Sequence, residues 1–487
     1  MLLERQSSIF GAVVLSLLLL FGCGQKAKDI TYTTGSLDAK NYFIEGLATY
    51  DDLQVNKARE LFAKAREADP EFAMAYYYGA VLATSANEFN DFLGTAVELA
   101  PKASEPEQLI IGSLEATNEG HTEQAREKLM QLVTLLPDGK RAHFMLGNFY
   151  FGQQQWPLAE TQYQVATKLD PYFAVGFNNL AYVYTNEQKY DAAIETLKKY
   201  AELKPEDPNV HDSMGEIYLR MQDYEKSVEE YKNALELMPD FVFSLAGLGN
   251  NSVFIGEYDQ ARAEYSKIME HAHSVADTNT AYFLTALSYI YESRYNKALE
   301  VLQEQLKFDQ SHNNLNMQGV IHGQMAAINR EKGDYTAALR EAAAERQIAS
   351  NPDIQEGPRG AFIRNACFTE AIVFTHLDNQ EMADNSLDEF RQSAQDSKSP
   401  VAMSAYHALS GVVLYWQEDY IKAIEELGQA DPLDQYAKFY LGLCYEETGL
   451  EDKAKDIFSE IANYNSNNFN YSFVRSEAVK RTDGADS

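Results

Sequence analysis

Proline and glycine are scarce in this chain of 487 residues, which has 13 and 27 of them, against roughly 5% and 7% in ordinary globular proteins. Collagen-like and Pro/Gly-rich low-complexity architectures are thereby excluded, and long runs of regular structure are favoured. Cysteine is scarcer still, at three, too few for the dense, even set that a disulfide scaffold needs. Basic charge is also short: 41 Lys and Arg face 73 Asp and Glu, a formal net charge of -32. That balance argues against nucleic acid as a partner, because phosphate binding rests on Lys/Arg neutralisation and counterion release. It argues equally against docking on anionic lipid by charge. A partner chosen by charge is neutral or basic, although acidity also simply keeps a long surface soluble. Catalytic signatures are missing as well. There is no G-x-x-x-x-G-K-[ST] loop, no G-x-S-x-G elbow and no H-E-x-x-H helix, so no enzyme, metal or cofactor is expected.

Only one long apolar run is present, Ile9 to Phe21 (IFGAVVLSLLLLF). As a helix it spans ~20 Å, short of the ~30 Å hydrocarbon core, so it reads as the apolar region of a signal peptide. Its end, Leu20-Phe21-Gly22-Cys23, resembles a bacterial lipobox. The resemblance implies cleavage after residue 22, acylation of Cys23 as the new N-terminus, and stable anchoring by two or three acyl chains. Gly24 implies export to the outer membrane, facing the periplasm. Residues 23–37 then read as the lipidated cysteine and a polar tether.

Beyond the tether the chain repeats itself. Pro137, Pro171, Pro205 and Pro239 stand 34 residues apart, and Ala125, Ala159, Ala193, Ser227 and Ala261 keep the same interval. A fixed period in this range marks a stacked supersecondary unit. Within Lys140 to Gly176, two apolar-periodic stretches flank a polar break near Gln153 to Gln155. That pattern is a helix, a turn and a second helix, stopped at Asp170-Pro171.

The register can be compared with a known family. Counting from Lys140, positions 4, 7, 8, 11, 20, 24, 27 and 32 hold His143, Leu146, Gly147, Tyr150, Ala159, Tyr163, Ala166 and Pro171. The next units give Phe177, Leu180, Ala181, Tyr184, Ala193, Leu197, Tyr200 and Pro205, then His211, Met214, Gly215, Tyr218, Ser227, Tyr231, Ala234 and Pro239. In this the chain resembles tetratricopeptide repeat (TPR) proteins. The resemblance implies an all-α solenoid wound as a right-handed superhelix, here of about twelve units from 38 to about 465. Each unit contacts mainly its neighbours.

The period loosens after Ala261, where second helices are expected to start at Tyr295, Tyr335, Gln380, Tyr420 and Glu451. We read a regular array over 38–349, a loop over 350–361 that begins SNPDIQEGPRG, degenerate units over 362–470, and a capping helix with a disordered tail over 471–487.

In TPR proteins the first helix of each unit lines a concave groove, chiefly through positions 2, 5, 6, 9, 12 and 13. The resemblance assigns these to Arg141, Phe144, Asn148, Asn178, Asn179, Tyr182, Asn186, Asn209, Asp212, Glu216, Arg220, Phe243 and Asn250. Asn both donates and accepts, so a row of Asn suits an extended backbone. A two-carboxylate clamp of the kind some relatives use on chaperone tails is rejected, because its cationic positions hold Phe144, Asn209 and Ser213. The expected function is a tethered scaffold that binds a protein or peptide, with a glycan-binding uptake lipoprotein as the alternative. His143, His211, His322 and His407 all fall at packing position 4, His271 and His273 in a loop. Cys367 and Cys444 read as buried free thiols.

Overall fold

A computed structural model describes residues 29–483 apart from 53, 84, 85 and 398; the apolar leader and Cys23 lie outside the described residues. Among the described residues all regular structure is helical. The described residues divide into two compact units, one holding 29–117 with 121–171, the other 118–120 and 172–483.

The first unit carries α1 (Leu37–Asp51), α2 (Val55–Ala68), α3 (Ala73–Val81), α4 (Ala86–Leu99), α5 (Glu105–Asn118), α6 (Thr122–Leu135), α7 (Lys140–Gly152) and α8 (Trp156–Leu169). The second begins with α9 (Ala174–Asn186), α10 (Tyr190–Leu203), α11 (Pro208–Arg220), α12 (Tyr224–Leu237), α13 (Val242–Phe254) and α14 (Tyr258–Glu270). It continues with α15 (Val275–Tyr291), α16 (Tyr295–Ser311), α17 (Leu315–Lys332), α18 (Tyr335–Ala349), α19 (Glu356–His376) and α20 (Gln380–Asp396). It ends with α21 (Pro400–Trp416), α22 (Tyr420–Leu427), α23 (Gln435–Glu447), α24 (Glu451–Ala462) and α25 (Tyr471–Asp483). Odd-numbered helices up to α23 open a repeat and even-numbered ones close it.

Local chemistry explains each pair. In α12 the Asp223 carboxylate caps the first turn by accepting from the Lys226 N–H, satisfying a donor the helix leaves open. Ser227, Tyr231 and Ala234 form its buried stripe, and Pro239 follows, where no further helical N–H is available. The small residue that begins each buried stripe is sealed between the two helices: Ala159, Ala193, Ser227, Ala261, Ala298, Ala338, Ala383 and Ala423 are all inaccessible. The other determinant is a glycine on the first helix facing a ring sixteen residues on. A Cβ on Gly147 would lie 2.6 Å from Tyr163, and one on Gly215 would lie 2.9 Å from Tyr231. The ring fills the space that the missing side chain leaves, which is how the helices approach closely enough to exclude water.

The turn inside each repeat has its own signature. Gly120, Gln154, Gln188, Gln222 and Gly256, again 34 apart, all have positive φ between 55° and 83°. For an L-residue with a side chain this left-handed conformation costs roughly 1–2 kcal/mol, so the three glutamines store strain that the two glycines avoid. We expect Gln154→Gly to raise the stability of the first unit by about 1 kcal/mol, measured by urea denaturation; a loss of stability would show that the Gln side chain matters more than its backbone.

Two boundaries differ from the sequence reading. The loop expected over 350–361 is confined to 350–355, because α19 already begins at Glu356. Pro358 lies in its first turn, where the missing N–H is not needed. At the other end, α25 occupies Tyr471–Asp483, so the helix takes up most of the stretch read as a cap and a disordered tail.

Candidate binding groove

Within the second unit successive odd-numbered helices pack on one another: α9 on α11, α11 on α13, α13 on α15, and onward from α17 to α23. These helices therefore line the inner face. Their polar side chains are tied from repeat to repeat. The Tyr182 hydroxyl on α9 donates to Glu216 on α11 at 3.1 Å. Ser213 on α11 donates to the Asn178 carbonyl at 3.3 Å, and Ser244 on α13 donates to Asp212 at 2.7 Å. A second set of bonds runs within a repeat: Tyr265 donates to Asn250 at 2.8 Å and, in the first unit, Tyr163 donates to Asn148 at 2.7 Å. The same tyrosine that packs on the repeat's glycine thus fixes the amide that faces the groove.

The sequence-derived positions separate accordingly. Asp212, Glu216 and Asn250 line one cavity with Arg220 and Phe243, and Tyr182 reaches it through Glu216. Asn186 donates to the Tyr182 carbonyl at 2.9 Å, and Asn179 is half-buried on α9. Asn209 donates its N–H to the carboxylate of Asp207, which caps α11, and its side-chain nitrogen is buried without a hydrogen-bond partner. Asn178 is only 6% exposed, so with Ser213 it holds α9 to α11 and offers little to a ligand. In the first unit, Arg141 is committed to a two-pronged ion pair with Asp51 and is buried.

The inner face also holds a segment that sequence reasoning missed. After α24 the non-helical residues 463–470 turn back across the groove. Asn463 accepts from Gln222 at 3.0 Å, and Asn465 donates to the Leu219 carbonyl and the Tyr224 hydroxyl. Asn467 donates to Asn250. The following α25 packs on α15 and α23, with Tyr471, Val474 and Ala478 buried. Arg475 places its guanidinium over the Phe254 ring and donates to that residue's carbonyl. The amide-rich stretch NYNSNNFN, with aromatics at Phe469, Tyr471 and Phe473, was the available signal.

Electrostatics single out Asp212. Burial, with the Glu216 charge adding to it, pushes its carboxyl up from 3.8 to about 7, against the opposing Ser244 hydrogen bond. Arg220 spends one guanidinium nitrogen on Glu216 at 2.7 Å and leaves its Nε unpaired; Tyr182, Tyr231 and Tyr464 are further titratable groups nearby. A carboxyl that ionises later in the native state than in the unfolded chain destabilises the fold as pH rises between the two values. We therefore expect the stability gain of Asp212→Asn over the native chain to be absent near pH 4, to grow towards pH 7 and to level off above it. Paired thermal melts across that range check this; a gain independent of pH would remove the charge from the explanation.

Other chemistry-bearing residues serve packing. His211, His322 and His407 reach Glu230, Glu341 and Glu426 at 2.6, 2.9 and 2.8 Å, each partner nineteen residues on, and His143 reaches Gln162 in the same way. His273 contacts Asp240. Cys367, Glu370 and Glu389 cluster closely, but the Arg346 guanidinium donates to all three, and a metal would have to displace it. Burial pushes the thiols of both Cys367 and Cys444 up to about 12, and both are free and buried. No helix among the described residues is long and apolar enough to cross a membrane.

These features define a helical-repeat solenoid with a polar inner face. Sequence profiles described as Tetratricopeptide repeat match residues 114–172, 175–207, 208–241 and 436–468, and the chain is a tetratricopeptide-repeat protein. No curated protein matches it. Among solved structures it is similar to a tetratricopeptide repeat protein from Parabacteroides merdae, with 15% identity, 54% of this chain and 98% of that one covered, and a TM-score of 0.38. It is similar to pilF of Pseudomonas aeruginosa, with 19% identity, coverage of 42% and 91%, and a TM-score of 0.33. It is also similar to YrrB, a TPR protein with an unusual peptide-binding site, with 17% identity, coverage of 38% and 93%, and a TM-score of 0.26. Repeats of this kind are in general protein-interaction scaffolds and in general not enzymes.

Proposed function

We propose that this chain is a lipid-anchored scaffold of the bacterial cell envelope. It binds a protein or an extended peptide on the inner face of its repeats, within an assembly, secretion or export complex. Acylation of Cys23 and the polar stretch that follows tether the repeats to the outer membrane on its periplasmic side, which raises the local concentration of partner and scaffold. The observation that carries the binding reading is the face formed by α9, α11 and α13. Its hydrogen bonds between repeats fix the side chains before any ligand arrives, which lowers the entropic cost of binding. Phe243, which meets the Phe241 ring edge-on yet stays 68% exposed, stands beside Asp212 and Glu216 and offers apolar surface to a partner. The acidic lining fits a neutral or basic partner.

Two experiments test the halves separately. Cys23→Ala should abolish acyl labelling and release the chain from membranes; persistence of both removes the tether. A photo-crosslinking amino acid at position 243 should capture one envelope protein in cells, and the same group at Lys198 on α10 should not. Equal capture from both positions would assign binding to another face.

A further inference from the structure

Unpaired acceptors outnumber unpaired donors in the cavity between α11, α13 and the returning segment 463–470, where the oxygens of Asn465 and Asn467 face one unpaired donor, Nε of Arg220. It encloses about 260 Å3 and is lined by Asp212, Glu216, Arg220, Phe243, Asn465 and Asn467, among others. Asn465 is 3% exposed. Its nitrogen is spent on the Leu219 carbonyl and the Tyr224 hydroxyl, at 3.3 and 3.0 Å, which fixes the amide's orientation. Its oxygen is left buried with no partner, and so is that of Asn467, whose nitrogen goes to Asn250. An unpaired buried acceptor carries the full cost of its desolvation, so each of these oxygens calls for a donor. Asp212 has Ser244 as its hydrogen-bond donor and no cation, while Glu216 has both Arg220 and Tyr182.

We infer that this cavity receives a lysine side chain of an extended partner segment, its ammonium group held by Asp212 and the free oxygens of Asn465 and Asn467, its stem lying along Phe243. The inference rests on the groove reading above and specifies the partner's chemistry there. An ammonium carries three donors on one compact head, matching three acceptors from two walls of the cavity. A guanidinium prefers a carboxylate with both oxygens available; Asp212 shares one with Ser244, and Glu216 is already paired. A hydroxyl-bearing ligand would satisfy the amide oxygens but bring no charge to Asp212, whose ionised form burial leaves short of stabilisation. A bond from a cation to that carboxylate is roughly twice as strong as a neutral one, and the exposed ring adds a face for the cation or its methylene stem.

The test uses the full chain and two fluorescein-labelled octapeptide pools with randomised flanks, one with lysine at a central position and the other with norleucine. Fluorescence anisotropy should show the lysine pool binding at least about tenfold more tightly, the scale of a charge-assisted bond in a desolvated site. Asp212→Asn should erase the preference while leaving the melting temperature unchanged or higher, and Phe243→Ala should weaken the lysine pool severalfold. Equal binding of the two pools, or a lysine preference that survives Asp212→Asn, overturns the lysine site and leaves peptide binding by the groove in place. Binding of neither pool overturns it as well, and the groove then stands or falls on the crosslinking from position 243.

Discussion

Gly249→Val should destabilise the second unit by about 3 kcal/mol, the upper part of the range for overpacking a core. Even the first atom of a side chain at this position would sit 2.2 Å from a ring carbon of Tyr265. The ring cannot swing aside cheaply. It is almost wholly buried, and its hydroxyl is anchored on Asn250, so relief must come from separating α13 and α14. The damage should therefore extend to the groove: losing the Tyr265–Asn250 bond frees the amide that Asn467 also uses. Gly152→Ala is the control, because a Cβ there meets nothing within 4 Å and alanine favours a helix by up to about 1 kcal/mol. Urea denaturation of the two variants should move in opposite directions. Similar effects from both would show that close approach of glycine and ring does not govern the packing.

Tyr471→Ala should cost more, about 3–5 kcal/mol, the range for removing a large buried aromatic side chain. Tyr471 is 1% exposed. Its ring packs on Tyr291 and Tyr464, and its hydroxyl donates to the Ile461 carbonyl at 2.8 Å. These contacts join α25 to α15 and α24, so the ring fastens the returning segment to the middle of the same unit. Its loss should speed amide exchange in 463–483 and in α13 and α15. The first unit, which makes its own core, should keep its protection. Hydrogen exchange read by mass spectrometry separates the two. Faster exchange limited to 471–483 would mean that α25 is a loose appendage and not a structural closure.

Much of this architecture was legible because a repeat writes each determinant several times. Ala159, Ala193, Ser227 and Ala261 disclose the helix interface by recurring, and Gly147 with Tyr163 recurs as Gly215 with Tyr231. The second helices begin at Tyr295, Tyr335, Gln380, Tyr420 and Glu451 even where the period has drifted, since the small buried residue three positions later still demands a close approach. The groove was legible only in part. Position numbers place Asn178 on a first helix near the inner face, but burial against Ser213 depends on how tightly α9 meets α11, which no single repeat encodes. The closure by residues 463–470 has no periodicity to betray it. It joins Asn465 to Leu219 and Asn467 to Asn250 across more than 200 residues, and it follows from curvature accumulated over many repeats.

The central claim is that binding occurs on the inner face of the second unit. It is tested most directly by hydrogen exchange on the full chain with and without the protein captured from position 243. The account predicts slowed exchange in α9, α11, α13 and residues 463–470, with α10, α12 and α14 unchanged. Protection confined to those even-numbered helices would contradict it.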